Sequence, residues 1–206
     1  MNKISDYIDS FITSKNPVLN KLTEEYINRV DISPCIGLQT GRFISWLIQL
    51  TNAKNVLEFG TCIGYSTVCL AEAVKLNNGT LTAIEVSPNH CKETTKNLKE
   101  AGLLDYVNLI HGDASVEIDK LAGNYDFILQ DSLKVLYPTM LNKCIELTKV
   151  GGIIVADDTL FKPLGMKEKF RKPMDEYNEL VFADTRLKST ILPIGDGLTI
   201  SIKLHD

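Results

Sequence analysis

The sequence predicts an open α/β fold built on a mostly parallel sheet, and three observations carry that prediction. First, a β-prone run from Asn55 to Phe59 stops at Gly60. It is followed by Thr61-Cys62-Ile63-Gly64 and a helical pattern through Tyr65-Ser66-Thr67 to Val74. Second, strand and helix signals alternate from there onward, as a parallel sheet flanked by helices requires. Third, acids close or follow most of the strands: Glu58, Glu85, Asp113, Asp131 and Asp157-Asp158. In a parallel sheet the carboxyl ends share one edge, so these carboxylates should converge on one crevice.

The elements follow in order. Apolar residues at helical spacing predict helices over Ile4 to Ser14, Val18 to Val30 and Gln39 to Thr51. This preface could cap the sheet, form a dimer surface or cover a pocket. The strands are Asn55 to Phe59, Thr80 to Val86, Tyr106 to Ile110, Tyr125 to Gln130 and Ile153 to Ala156, the last opened by Gly151-Gly152. Helices are expected from Ser66, over Asn89 to Glu100, from about Tyr137 to Thr148, and around Met174 to Phe182. A basic stretch, Lys162 to Lys172, leads into the last of these. Thr190 to Ile194 and Leu198 to Leu204 flank Gly195-Asp196-Gly197 and read as a closing hairpin, which adds an antiparallel strand. Seven strands result.

A length of 206 residues suits a single domain, 1–206, divided into the preface (1–52) and a core (53–206). Hydrophobic content of 44% with 23% charged residues is ordinary for a soluble globular protein. A net charge of -4 gives no general attraction to nucleic acid or anionic membrane. The cysteines are odd in number and contain no C-x-x-C pair, which argues against a disulfide framework or zinc site and fits a reducing cytoplasm. The start, Met1-Asn2-Lys3-Ile4-Ser5-Asp6, lacks the build of a signal peptide, and no apolar run is long enough to span a bilayer.

The glycine loop reads E-x-G-x-x-x-G (Glu58, Gly60, Gly64), not the tight G-x-G-x-x-G that seats a pyrophosphate. A looser loop with an acid at its start suits a cofactor carrying positive charge and no phosphate, such as S-adenosylmethionine. Glu85, about 20 residues further on, can accept from a ribose diol. Asp113 can accept from an adenine amino group, or cap the helix that begins at Ala114. Asp131, Asp157 and Asp158 offer only oxygen ligands, which suits Mg²⁺, Mn²⁺ or Ca²⁺ and not zinc. Lys134 lies three residues after Asp131, so a helical turn puts both on one face. A nearby metal and desolvation would lower its pKa toward neutrality. His90, His111 and His205 have no spacing that suggests a catalytic or metal constellation.

Taken together, VLEFGTCIGYS, TAIEVSP, HGDA, YDFILQDSLKVLY, KVGGIIVADDTLF and ILPIGDGLTIS resemble the cation-dependent, S-adenosylmethionine-dependent O-methyltransferases, the catechol and caffeoyl-coenzyme A group. The resemblance runs from about Ile32 to Leu204. It implies a Rossmann-like class I methyltransferase fold, with Glu58, Gly60 and Ser66 lining the methionine part of the cofactor and Gly64 and Tyr65 also among the cofactor-binding residues. It also implies Glu85 at the ribose, Asp113 and Ala114 at the adenine, and Asp131 among the catalytic, cofactor-binding and metal residues alike. Asp131, Asp157 and Asp158 take the metal positions, and Lys134 is the general base. Two residues depart from the family pattern: Asp158 stands where Asn is usual, and Leu133 replaces an acid in the usual D-A-D-K run. The implied reaction is methyl transfer to a hydroxyl of a small catechol-like or phenylpropanoid-like acceptor, in a cytoplasmic homodimer. One alternative is a tRNA 5-hydroxyuridine O-methyltransferase, with Lys162, Lys167, Lys169, Arg171 and Lys172 on phosphates. Another is a non-catalytic S-adenosylmethionine-binding protein.

Overall fold

A computed structural model describes residues 3–206; the first two residues of the start read above, Met1 and Asn2, lie outside the described residues. Seven strands form one sheet: β1 (Asn55–Phe59), β2 (Thr80–Glu85), β3 (Val107–His111), β4 (Tyr125–Gln130), β5 (Thr148–Ala156), β6 (Leu187–Leu192) and β7 (Leu198–Lys203). Their spatial order is β3-β2-β1-β4-β5-β7-β6, and β7 runs antiparallel to both of its neighbours, β5 and β6. The predicted architecture, a mostly parallel seven-stranded sheet closed by an antiparallel strand, is the observed one.

Helices cover both faces. α2 (Pro17–Asn28), α3 (Gly37–Leu50), α4 (Tyr65–Leu76) and α5 (Pro88–Glu100) share a core with Val56, Phe127, Leu129 and Val155. On the other face Leu57, Phe59, Ile128 and Ile154 meet α6 (Ala114–Glu117), α7 (Leu136–Leu147) and α8 (Glu168–Ala183). The period-two alternation of a strand produces this split, and it puts Glu58 on the Val56 face, toward α4. α2 and α3 of the preface cap the sheet by packing on α4: Ile44, Ile48 and Leu22 are fully buried, and the Gly41 position abuts Cys69. Asn16 caps α2 by accepting from the Val18 N–H, while its amide donates to Glu72 on α4 at 2.8 Å. Among the described residues no helix is long and apolar enough to cross a membrane.

Three boundaries differ most from expectation, while β6 starts three residues early, at Leu187 instead of Thr190. α1 (Lys3–Asp9) stops short of the predicted Ser14 and fully buries none of its side chains, so its apolar stripe has no core to extend it. β5 begins at Thr148 instead of at the glycines: Gly151, at φ +79°, sits within the strand where the register to β4 shifts between Tyr125 and Phe127. α8 begins at Glu168, six residues before the predicted Met174, and carries Pro173 inside it. Met174, Tyr177 and Val181 form the buried stripe that holds α8 helical despite the hydrogen bond a proline removes.

Candidate active site

The carboxyl ends of β1, β2, β4 and β5 bring Glu58, Glu85, Asp131, Asp157 and Asp158 to one edge. Register places Phe59 beside Gln130 and Gln130 beside Ala156, so the residues after each strand are neighbours. The Asp131 N–H donates to the Phe59 carbonyl at 3.0 Å, and the Asp157 N–H to the Gln130 carbonyl at 3.2 Å. The glycine loop fits against this edge only because Gly60 has no side chain. At its φ of +89° a Cβ would lie 2.3 Å from the Asp131 carbonyl oxygen. Gly64, at φ +97°, turns the chain into α4, whose first turn carries Tyr65 and Ser66. Tyr65 is buried with its ring edge-on to Tyr26, so it is part of the packing that fixes the loop.

Glu58 is fully buried, and among the described residues neither of its carboxylate oxygens has a hydrogen-bond partner. Burial pushes its pKa up to about 8. The hydroxyls of Ser66 and Thr67 oppose that rise without completing a hydrogen bond to either oxygen. A buried, unpartnered acid beside a glycine turn has the capacity to accept from a cationic donor. Glu85 is also buried, but satisfied: Oε2 accepts from the Thr61 and Cys62 N–H groups at 3.0 and 2.9 Å, and Oε1 from Ser87 N–H at 2.8 Å. It thus clamps the glycine loop to the end of β2. Asp113 is the cap of α6. Its Oδ1 accepts from the Ser115 N–H and hydroxyl, which hold its pKa below the usual carboxylate value, and Ala114 behind it is buried.

Asp131, Asp157 and Asp158 each turn a carboxylate oxygen into one cluster, all within 4.8 Å of one another. Such an all-oxygen, anionic set fits a hard divalent cation. Asp158 reaches it from a left-handed backbone at φ +66°, a conformation that short acids and Asn tolerate better than most residues. Lys134 joins the cluster. Its Nζ donates to Asp131 Oδ1 at 3.0 Å and to the Tyr137 hydroxyl at 2.9 Å, and pairs with Asp158 Oδ2 at 2.7 Å. The two side chains meet as expected, but not across a helical turn: α7 begins at Leu136, and residues 131–134 lie in the loop before it. The fall expected of the Lys134 pKa rests on a bound metal together with burial. Burial works to depress it, but Tyr137, Asp131 and Asp158 outweigh burial and hold it well above an ordinary lysine. Asp157 is raised well above the usual range, by burial first and then by repulsion from Asp131 and Asp158.

Sequence reading missed three residues here. Tyr137 is wholly buried under Lys134. Gln130, also buried, leaves its side-chain oxygen unpartnered. Asp196 lies near enough to Asp158 for repulsion to add to the burial that raises its pKa. A signal for Asp196 was present in its flanking glycines. Gly195 approaches Thr40 of α3, and Gly197 abuts Leu160, whose N–H donates to the Asp196 carbonyl. The histidines form no constellation: His111 contacts the Val86 carbonyl, and His90 stands 3.5 Å from Glu85.

The family model described as O-methyltransferase matches residues 9–204. The chain belongs to this O-methyltransferase family. It is therefore an enzyme that transfers methyl groups to oxygen using S-adenosylmethionine. It is 31% identical to a catechol O-methyltransferase of Niastella koreensis, over 97% of this chain and 96% of that one. It is also 33% identical to a tapetum-specific methyltransferase of Arabidopsis thaliana, over 92% of this chain and 88% of that one. Among solved structures, the O-methyltransferase TomG of Streptomyces achromogenes, in complex with S-adenosylmethionine, superposes with a TM-score of 0.88 at 21% identity. That match covers 99% of this chain and 97% of TomG, and it establishes the shared Rossmann-like fold.

Proposed function

We propose that this O-methyltransferase methylates one hydroxyl of a small vicinal-diol acceptor of the catechol or phenylpropanoid type, with a divalent cation held by Asp131, Asp157 and Asp158. One observation carries the reading: the Lys134 amine lies in the acid cluster, at the same sheet edge as the unpartnered Glu58 carboxylate. The donor chemistry fits both groups. Three clustered carboxylates match a hard cation, and a buried acid without a donor matches the ammonium of an amino-acid-bearing cofactor. When bound, the cofactor supplies the methyl group, and the cation, Mg²⁺ foremost, supplies positive charge that acidifies an adjacent hydroxyl. The chain's own residues do the rest. Glu58 fixes the cofactor's amine end, and Glu85 and Asp113 frame the nucleoside end. Lys134 takes the hydroxyl proton. The two acids that now hold its ammonium are the proposed metal ligands, so their engagement there frees the amine for that role.

The surface near the site favours a small apolar acceptor over a polyanion. Leu133 and Val135 flank Lys134 and are exposed, as is Leu164 on the segment that follows Asp158. In the basic stretch Lys162 is spent on Asp175, and the concavity it lines with Arg171 and Lys172 also contains Glu168 and Asp175. Labelled methyl transfer should therefore appear on a 1,2-dihydroxybenzene probe in the presence of Mg²⁺, and not on phenol or bulk tRNA. No label on the diol, or stronger label on tRNA, would reject this acceptor class. A chelator that leaves the rate unchanged would reject the cation.

The departure at Asp158 gives a further expectation. A third carboxylate strengthens cation binding through charge, yet lowers the cation's residual charge and so its acidifying power. Asp158→Asn should need several-fold more Mg²⁺ for half-maximal activity and turn over at least as fast at saturation. Superimposable metal-titration curves for the two proteins would remove Asp158 from the ligand set.

A further inference from the structure

We infer that Tyr137 is the positioning residue for the Lys134 amine, an inference that rests on Lys134 being the group that takes the acceptor's proton. A lysine amine sits at the end of a flexible four-carbon stem, so proton transfer at one atom needs something to fix it. Three groups hold Nζ: Asp131, Asp158 and the Tyr137 hydroxyl. The first two are the proposed metal ligands, so only the hydroxyl is committed to nothing else. Tyr137 stands on the first full turn of α7, three residues after Lys134, and its N–H donates to the Lys134 carbonyl at 3.2 Å.

The phenol is itself immobile. Its side chain is fully buried, and its ring meets Tyr177 of α8 edge-on, with centroids 5.5 Å apart at 84°. Its carbonyl accepts from the side-chain amide of Gln130, the residue before Asp131, at 3.5 Å. Lys134 Nζ lies 4.9 Å from the ring centroid, so the ring as well as the hydroxyl borders the amine. Tyr177 is fully buried too and belongs to the same core as Phe59 and Ile154. A rigid path thus runs from the sheet through two tyrosines to one atom. The Lys134 side chain is only 13% exposed, so solvent contributes little to holding the amine.

Tyr137→Phe keeps the ring and its packing and deletes one oxygen. In the metal-loaded enzyme kcat should fall about tenfold, the usual weight of a hydrogen bond to a charged group, with KM for cofactor and acceptor nearly unchanged. In a Lys134→Ala background the same substitution should have no further effect, because the hydroxyl acts through the amine. A readout independent of turnover is reductive methylation with formaldehyde, followed by peptide mapping. Lys134 should be modified several-fold faster in Tyr137→Phe than in the wild type, measured against exposed Lys92. Wild-type kcat in Tyr137→Phe would overturn the inference, as would an unchanged labelling rate at Lys134. A full additional loss in the Lys134→Ala background would do the same. If Lys134→Ala itself keeps wild-type turnover, the base assignment fails, and the labelling rate alone then judges whether Tyr137 fixes the amine.

Discussion

Replacing Lys134 with alanine should lower turnover by about 10²–10⁴-fold, the range for loss of a general base, while cofactor affinity stays near the wild-type value. The asymmetry follows from geometry. Lys134 touches Asp131, Asp158 and Tyr137, and none of its polar contacts is to Glu58 or Glu85, the acids assigned to the cofactor. Its role arises as a proton is removed, so the loss should appear in kcat and kcat/KM together. The substitution also strips the acid cluster of its cation. Asp131 and Asp158 are then less compensated, so affinity for a divalent ion should not fall. Stopped assays across cofactor concentrations, with calorimetry for metal and cofactor, separate these effects. Near-normal turnover would make Lys134 a structural counter-ion for the acid cluster and nothing more.

A second large effect should appear in stability, at Glu58. Burial raises its pKa from 4.5 to about 8 in the folded protein. A group whose folded value is raised contributes stability that is fully present below the unfolded value and is lost as pH climbs through the folded one. The cofactor-free protein should therefore lose stability between about pH 4.5 and 8 on account of this one side chain. At about 1.4 kcal/mol per unit the loss is on the order of 3–5 kcal/mol. Glu58→Gln is nearly isosteric and does not ionise, so it should escape that loss and be the more stable protein at pH 8.5. Asp131 and Asp157 are raised by burial as well, but they are common to both proteins, so the difference isolates Glu58. Urea unfolding at pH 5 and 8.5 measures it, and a difference that does not change with pH would refute the burial argument. S-adenosylhomocysteine, which carries the same ammonium as the cofactor, should reverse the order by stabilising the wild type far more than the variant.

Much of this site was legible before any coordinates. The run of strands ending in acids was enough to place Glu58, Glu85, Asp131, Asp157 and Asp158 on one edge, because parallel strands leave no other arrangement. That Asp131 and Lys134 meet was also expected, though from a helical turn that the loop before α7 does not form. What sequence could not show was which acids are already satisfied. Glu85 and Glu58 look alike in the chain, yet one accepts from three backbone amides and the other has no donor. That contrast comes from loop geometry at Gly60 and Gly64, not from residue type. Tyr137 was hidden for a similar reason. A tyrosine at helical spacing reads as core, which it is; that its hydroxyl meets an amine depends on how α7 seats against β4. The early start of α8 was masked by Pro173, since a proline after a basic stretch reads as a boundary. The buried stripe on the far side of that proline carries the helix through it.

The position of β7 also bears on how the chain is made. Residues 198–203 form the strand that separates β5 from β6, so the last strand in chain order is an interior member of the sheet. During synthesis β1 to β5 can pair in turn as they emerge, but the free edge of β5, Ile153 to Ala156, must wait. That edge is apolar and buried on both faces in the finished protein, the kind of edge that invites pairing with another chain. β6 has no partner in the sheet except β7, so it cannot shield the edge on its own. The nascent protein therefore keeps a sticky seam open until nearly all of this sequence has left the ribosome. The strand that closes the seam is the same one that carries the chain away from Gly195-Asp196-Gly197, beside Asp158.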